Sequence, residues 1–79
     1  QVVAGAVVQP GAVLGAHTVV NTRASIDHDC HLEAGAFVGP GAVLCGGVRL
    51  GRGAFVGAGA TLLPGVRVGA GATVAAGAL

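Results

Sequence analysis

The stretch LEAGAFVGPGAVLCGGVRLGRGAFVGAGATL, residues 32–62, carries a branched aliphatic at every sixth position: Leu32, Val38, Leu44, Leu50, Val56 and Leu62. Three positions after each stands a glycine, and four positions after stands a small residue such as Ala36, Ala42 or Val48. Read outward in both directions, the phase never slips. It runs from Val2 to Val74 as thirteen aliphatics, with glycine in ten of the thirteen following corner slots. Pro10, Pro40 and Pro64 each precede one of those glycines. A period of six has a direct physical reading. The aliphatic points inward from a short strand, the glycine turns a corner where a Cβ is costly, and the small residue fits the tight space behind it.

Composition narrows the choices. The chain has 79 residues, 16 of them glycine, with two Phe and no Trp, Tyr or Met. So few large side chains fit only a narrow interior. Collagen needs glycine every third residue, and an antiparallel barrel needs longer runs and hairpin signals. Gly or Pro interrupts every apolar stretch, so no spanning helix is expected, nor does the N-terminus have the layout of a signal peptide. A net charge of +1 and the lack of an aromatic-basic surface argue against nucleic acid. A short-period parallel β-solenoid remains, and the slot pattern resembles the hexapeptide repeat of left-handed parallel β-helices along the whole chain. That resemblance implies the left hand and three repeats to an 18-residue coil, hence a little over four coils and a prism about 20 Å tall. Residues 1–79 are read as one such domain. Gln1 is not an initiator, so a fragment, a processed product or an engineered piece is expected.

With an 18-residue coil, the residues preceding each inward aliphatic fall into three outward columns. Gln1, Val19, Phe37, Phe55 and Thr73 share one, and the apolar part of it is a candidate subunit interface. Val7, Ser25, Val43, Thr61 and Leu79 share the second. Val13, His31, Arg49 and Arg67 share the third, a basic stripe that either meets the phosphates of a ligand such as coenzyme A or is simply a solvated face.

Three consecutive repeats lack the corner glycine and carry His17, Arg23 and Asp29 instead. Arg23 and Asp29 fall within the segment Asn21–His31, where the polar and charged residues concentrate. Within it His28 sits between Asp27 and Asp29; a carboxylate beside an imidazole fixes its tautomer, which suits a general base working near neutral pH. The plainer reading is an exposed corner histidine with two solubilising acids. One coil on, Cys45-Gly46-Gly47 offers backbone N–H groups unobstructed by side chains, suited to polarising a carbonyl. A metal is not expected: Cys30 should point inward and His31 outward while His28 sits on the corner, so these ligands diverge. Cys30 and Cys45 read as free thiols, which fits a reducing, cytoplasmic setting.

The segments Asn-Thr-Arg-Ala-Ser-Ile-Asp-His-Asp-Cys (21–30) and Gly-Pro-Gly-Ala-Val-Leu-Cys-Gly-Gly-Val (39–48) resemble the sialic acid O-acetyltransferase and bacillosamine or perosamine N-acetyltransferase family of bacterial surface-glycan synthesis. The resemblance implies direct acetyl transfer from acetyl-CoA to an amino sugar or sugar nucleotide. His28 would be the base, Asp27 or Asp29 its orienting partner, and Gly46, with Gly47 beside it, the site of the thioester-contacting amide. It also implies a homotrimer, for which the Val19/Phe37/Phe55 column is the candidate interface; from the residues themselves, no metal, nucleic acid or membrane partner is expected. Three departures accompany it. Phe37 stands where the family commonly carries a second histidine that contacts the donor. The family's N-terminal α/β domain and its C-terminal capping segment are both outside this sequence. A catalytically silent, oligomeric β-helix scaffold is the competing expectation.

Overall fold

The computed structural model describes residues 1–2 and 5–79. Each repeat contributes a strand of two residues, one facing out and one facing in. The first face of the solenoid is built from β1 (Val7–Val8), β4 (Ser25–Ile26), β7 (Val43–Leu44) and β10 (Thr61–Leu62). The second holds β2 (Val13–Leu14), β5 (His31–Leu32), β8 (Arg49–Leu50) and β11 (Arg67–Val68). The third holds β3 (Val19–Val20), β6 (Phe37–Val38), β9 (Phe55–Val56) and β12 (Thr73–Val74). All pairings are parallel, and each residue lies beside the one 18 positions away, as in Val7↔Ser25 and Ser25↔Val43. The three outward columns expected from the repeat are the three faces. The described residues contain no helix, and the particle measures 25 × 23 × 22 Å.

Turn chemistry explains the corners. In Gln9-Pro10-Gly11-Ala12, Gly39-Pro40-Gly41-Ala42 and Leu63-Pro64-Gly65-Val66, the N–H of the fourth residue donates to the carbonyl of the first at 3.4, 3.2 and 3.2 Å. Proline supplies the fixed φ of the second position, and the third position needs the positive φ of a type II turn. Gly11, Gly41 and Gly65 supply it at +82°, +69° and +76°. His17, Arg23 and Asp29 adopt the same conformation at +59°, +59° and +60°, and no other non-glycine described does so. The left-handed region costs a residue with a Cβ about 1–2 kcal/mol. Aspartate is among the residues found there most often.

The core is one stack. Val20, Ile26, Val38, Leu44 and Val56 are fully buried, and Ala24, Cys30, Ala36, Ala42, Ala54 and Ala60 fill the corners behind them. Each large aliphatic so buried stabilises the fold by about 1.5–3 kcal/mol. Val8, Leu14, Val66, Val68 and Val74, nearest the ends of the stack, are only partly buried, because an end coil has a neighbour on one side only.

Candidate active site

His28 lies on the corner between the first and second faces, in the turn Asp27–Cys30 that joins β4 to β5. The two flanking acids divide the work. Asp27 Oδ1 accepts the backbone N–H of His28 at 2.7 Å and so shapes the turn. Asp29 Oδ2 lies 3.2 Å from His28 Nδ1. With Nδ1–H donating to that carboxylate, Nε2 carries the lone pair. The pair is open to solvent, with side-chain exposures of 66% for His28 and 72% for Asp29. Asp29 is also one of the three left-handed residues. Its carboxylate meets the imidazole from a backbone conformation that ten other corners assign to glycine.

Two glycines make room for this pair, one on each neighbouring coil. A Cβ built on Gly46 would stand 2.7 Å from His28 Cε1 and 2.9 Å from Nε2. On the opposite side, a Cβ on Gly11 would run into Asp29 Oδ1. The imidazole therefore rests over Gly46, and the carboxylate over Gly11. Gly47 donates its N–H to the His28 carbonyl at 3.0 Å, so that amide is engaged in the ladder. Gly46 N–H has no acceptor among the described residues. Of the two glycines read from the sequence as amide donors, Gly46 is the one with a free N–H, and it lies against the ring of His28.

Phe37 is not part of this corner. It stands on β6 of the third face, the face opposite the corner that carries His28, and its ring stacks on that of Phe55 with centroids 4.7 Å apart. Within one chain, Phe37 and His28 do not meet. His31 points outward on β5 beside Arg49, and His17 occupies a different corner.

Cys30 points inward and is fully buried, and its thiol donates to the Cys45 carbonyl at 3.1 Å. Burial pushes its thiol pKa up, with the charge of Asp27 adding to the effect and backbone N–H groups opposing it. Cys45 is only partly buried, and both thiols are free. Iodoacetamide should therefore alkylate Cys45 in the native protein and reach Cys30 only after unfolding. Mass spectrometry of the peptides reads this directly, and rapid native labelling of Cys30 would contradict the inward register. No group of three His, Cys, Asp or Glu among the described residues is placed to hold a metal ion.

The sequence reading missed Arg52 and Glu33. Both line a groove of about 590 Å³ on the second face, together with His31, Arg49 and Arg67. Arg52 sits at a turn and not in an outward strand slot, so a column of strand residues passes over it.

Solved structures resemble the chain closely. The acetyltransferase domain of PglB from Neisseria gonorrhoeae, in complex with acetyl coenzyme A, is 46% identical with a TM-score of 0.97, covering 99% of this chain and 38% of that one. A histidine-to-alanine variant of GDP-perosamine N-acetyltransferase from Caulobacter crescentus, in complex with CoA and GDP-perosamine, is 42% identical with a TM-score of 0.92, covering 94% of this chain and 35% of that one. PerB from Caulobacter crescentus, also with CoA and GDP-perosamine, is 39% identical with a TM-score of 0.80, covering 94% of this chain and 44% of that one. The chain thus spans less than half the length of each of these. No curated protein sequence matches it. The sequence profile of the bacterial transferase hexapeptide family (six repeats) matches residues 29–64 and 47–79. With that match over most of its length, and with its coils built from those same repeats, the chain belongs to the bacterial transferase hexapeptide family.

Proposed function

We propose that this chain is the β-helix part of an acetyl-CoA-dependent sugar acetyltransferase, with His28 as general base. The observation that carries this reading is the His28–Asp29 pair, its ring seated on Gly46 with Nε2 unengaged. The acceptor is an amino or hydroxyl group of a sugar nucleotide. Nε2 takes the proton from the acceptor as its nitrogen or oxygen attacks the thioester carbonyl. Asp29 holds Nδ1–H and so keeps the ring in the tautomer with a basic Nε2. Gly46 N–H donates to the carbonyl oxygen as it gains charge. The C–S bond then breaks, and the imidazolium returns the proton to the departing sulfur. No group on the protein is acylated in this sequence. GDP-perosamine, bound in two of the solved relatives, supports an amino-sugar nucleotide as the first class to test. A cytoplasmic setting, where free thiols persist and acetyl-CoA is made, belongs to the same reading.

The test is calorimetric titration with acetyl-CoA, followed by a transfer assay against GDP- and UDP-linked amino sugars. Saturable binding with turnover that requires His28 supports the proposal. Binding without turnover on any acceptor, or no binding at all, would leave a β-helix scaffold without the chemistry.

The same reading includes a homotrimer. Phe37 and Phe55 stack in parallel on the third face, continuous with Val19, and Phe55 is 43% exposed. An apolar aromatic column on a chain this poor in aromatics is suited to burial against a further copy. The protein is expected to sediment at three times its 7.4 kDa chain mass. Phe55→Asp should shift it toward the monomer, since the carboxylate would be desolvated in the contact. Analytical ultracentrifugation of the two proteins checks both expectations.

A further inference from the structure

The groove on the second face gathers three arginines, Arg49, Arg52 and Arg67, against one acidic residue, Glu33. In the strand register His31 lies beside Arg49, and Arg49 lies beside Arg67. Like charges set directly opposite one another across a sheet are destabilising. The sequence has three acidic residues in all. Two of them, Asp27 and Asp29, are committed at the His28 corner. The third, Glu33, lines the groove, and its Oε2 accepts the backbone N–H of Arg52 at 3.1 Å. The only ion pair among the described residues is His28–Asp29, so Arg49, Arg52 and Arg67 have no carboxylate partner there.

The shape fits the charge. The groove has a volume of about 590 Å³, and Gly51 and Gly69 line it beside the arginines. Arg49 and Arg67 stand one strand spacing apart, about 4.8 Å at the backbone. Each guanidinium is a planar fork that binds phosphate oxygens two at a time. Two such forks in line suit two phosphates joined to one another better than a lone carboxylate, which would satisfy one fork and leave the other opposed. His31 begins the line in the coil that carries His28, Arg67 ends it, and Arg52 stands beside it in the turn after β8.

We propose that this groove binds the diphosphate group of a nucleotide-type ligand, with Arg49 and Arg67 as its principal contacts and Arg52 at its edge. Two ligands of the acetyl-transfer reading contain that group, the coenzyme A donor and the sugar-nucleotide acceptor. The choice between them rests on that reading, while the anion site itself stands on the groove and its unpaired cations.

The experiment is calorimetric titration of the whole chain with inorganic pyrophosphate, with coenzyme A and with GDP, repeated on Arg49→Gln, Arg67→Gln and the double variant. The arginines are exposed, so circular dichroism should show the fold retained. Pyrophosphate and at least one nucleotide should bind the unaltered chain, more weakly as salt is raised. Each arginine removed should weaken binding by about tenfold or more. Arginine-dependent binding of coenzyme A but not GDP assigns the groove to the donor, and the reverse assigns it to the acceptor. Binding of both locates recognition in the shared diphosphate. Equal affinity in the unaltered chain and the double variant, or no binding of pyrophosphate and either nucleotide, overturns the proposal. His28 lies outside the groove lining. His28→Ala should therefore remove acetyl transfer and keep the pyrophosphate affinity, so failure of this site and failure of the acetyl-transfer reading are told apart.

Discussion

His28→Ala is expected to reduce acetyl transfer by about 10²–10⁴-fold, a loss of roughly 3–5 kcal/mol of transition-state stabilisation. The fold should survive, because the side chain is 66% exposed and contributes nothing to the buried stack. The loss should fall on kcat, with the affinity for acetyl-CoA little changed. An amine or hydroxyl acceptor must shed a proton as it attacks, and a base held at the reacting atoms affects that step more than ground-state binding. Asp29→Asn is the informative companion. Asparagine tolerates the left-handed conformation that Asp29 holds at +60°, so the turn is kept while the carboxylate is lost. Its amide can donate to Nδ1 and thereby favour the tautomer with a proton on Nε2, which is the wrong one for a base. Activity should fall for Asp29→Asn as well, while thermal stability stays within about 1 kcal/mol of the unaltered chain. Full turnover in His28→Ala, measured as thiol release from acetyl-CoA with a competent acceptor, would remove His28 from the chemistry.

Much of this was legible in the sequence, for a mechanical reason. A six-residue period with aliphatic, glycine and small residue in fixed slots leaves little freedom, so the inward stack and the three outward columns follow from counting. Val19, Phe37 and Phe55 share a face in the structure as they share a column in the sequence. The corners that lack glycine were visible too, and His17, Arg23 and Asp29 are the residues forced to positive φ. Side-chain direction at the His28 corner was not legible. Nothing in Asp27-His28-Asp29 says which acid meets the ring, because both are adjacent to it. The division arises because Asp27 is close enough to accept the next backbone N–H, while Asp29 is turned by its φ toward the imidazole. The position of Phe37 is a different case. It lies nine residues after His28, half of the 18-residue register, and half a coil carries the chain to the opposite side of the prism. The register alone therefore separates the two residues within one chain. Arg52 was missed because a groove joins a turn to a face, and neither column nor motif describes that junction.

Gly46→Ala is expected to impair acetyl transfer by about 10²-fold while leaving the fold nearly as stable, and the reason lies in what the new methyl would meet. Gly46 is not among the glycines at positive φ, so its backbone accepts alanine. The constraint is space. The methyl would stand 2.7 Å from His28 Cε1 and 2.9 Å from Nε2, closer than non-bonded carbon atoms tolerate. One of the two must move, and the ring is the mobile partner, because it is exposed and held at Nδ1 by one solvent-facing bond. Swinging away relieves the contact at little cost to stability but takes the base off its site. A misplacement of about 1 Å is enough to lose a factor near 10² in rate. The methyl would also crowd the free N–H of Gly46 itself. A double variant distinguishes this mechanism from general damage to the corner. If Gly46 acts by seating the ring, Gly46→Ala should shift the His28 imidazole resonances in NMR, and should add little to the loss already caused by His28→Ala. If Gly46→Ala instead destabilises the chain equally with and without the imidazole, the glycine serves the coil and not the base. Gly47→Ala is the internal contrast. Its φ of +74° makes alanine strained whatever the space. That variant should therefore lose about 1–2 kcal/mol of stability. Two adjacent glycines would then be required for unrelated reasons, Gly47 because the corner must turn and Gly46 because the histidine must rest against it.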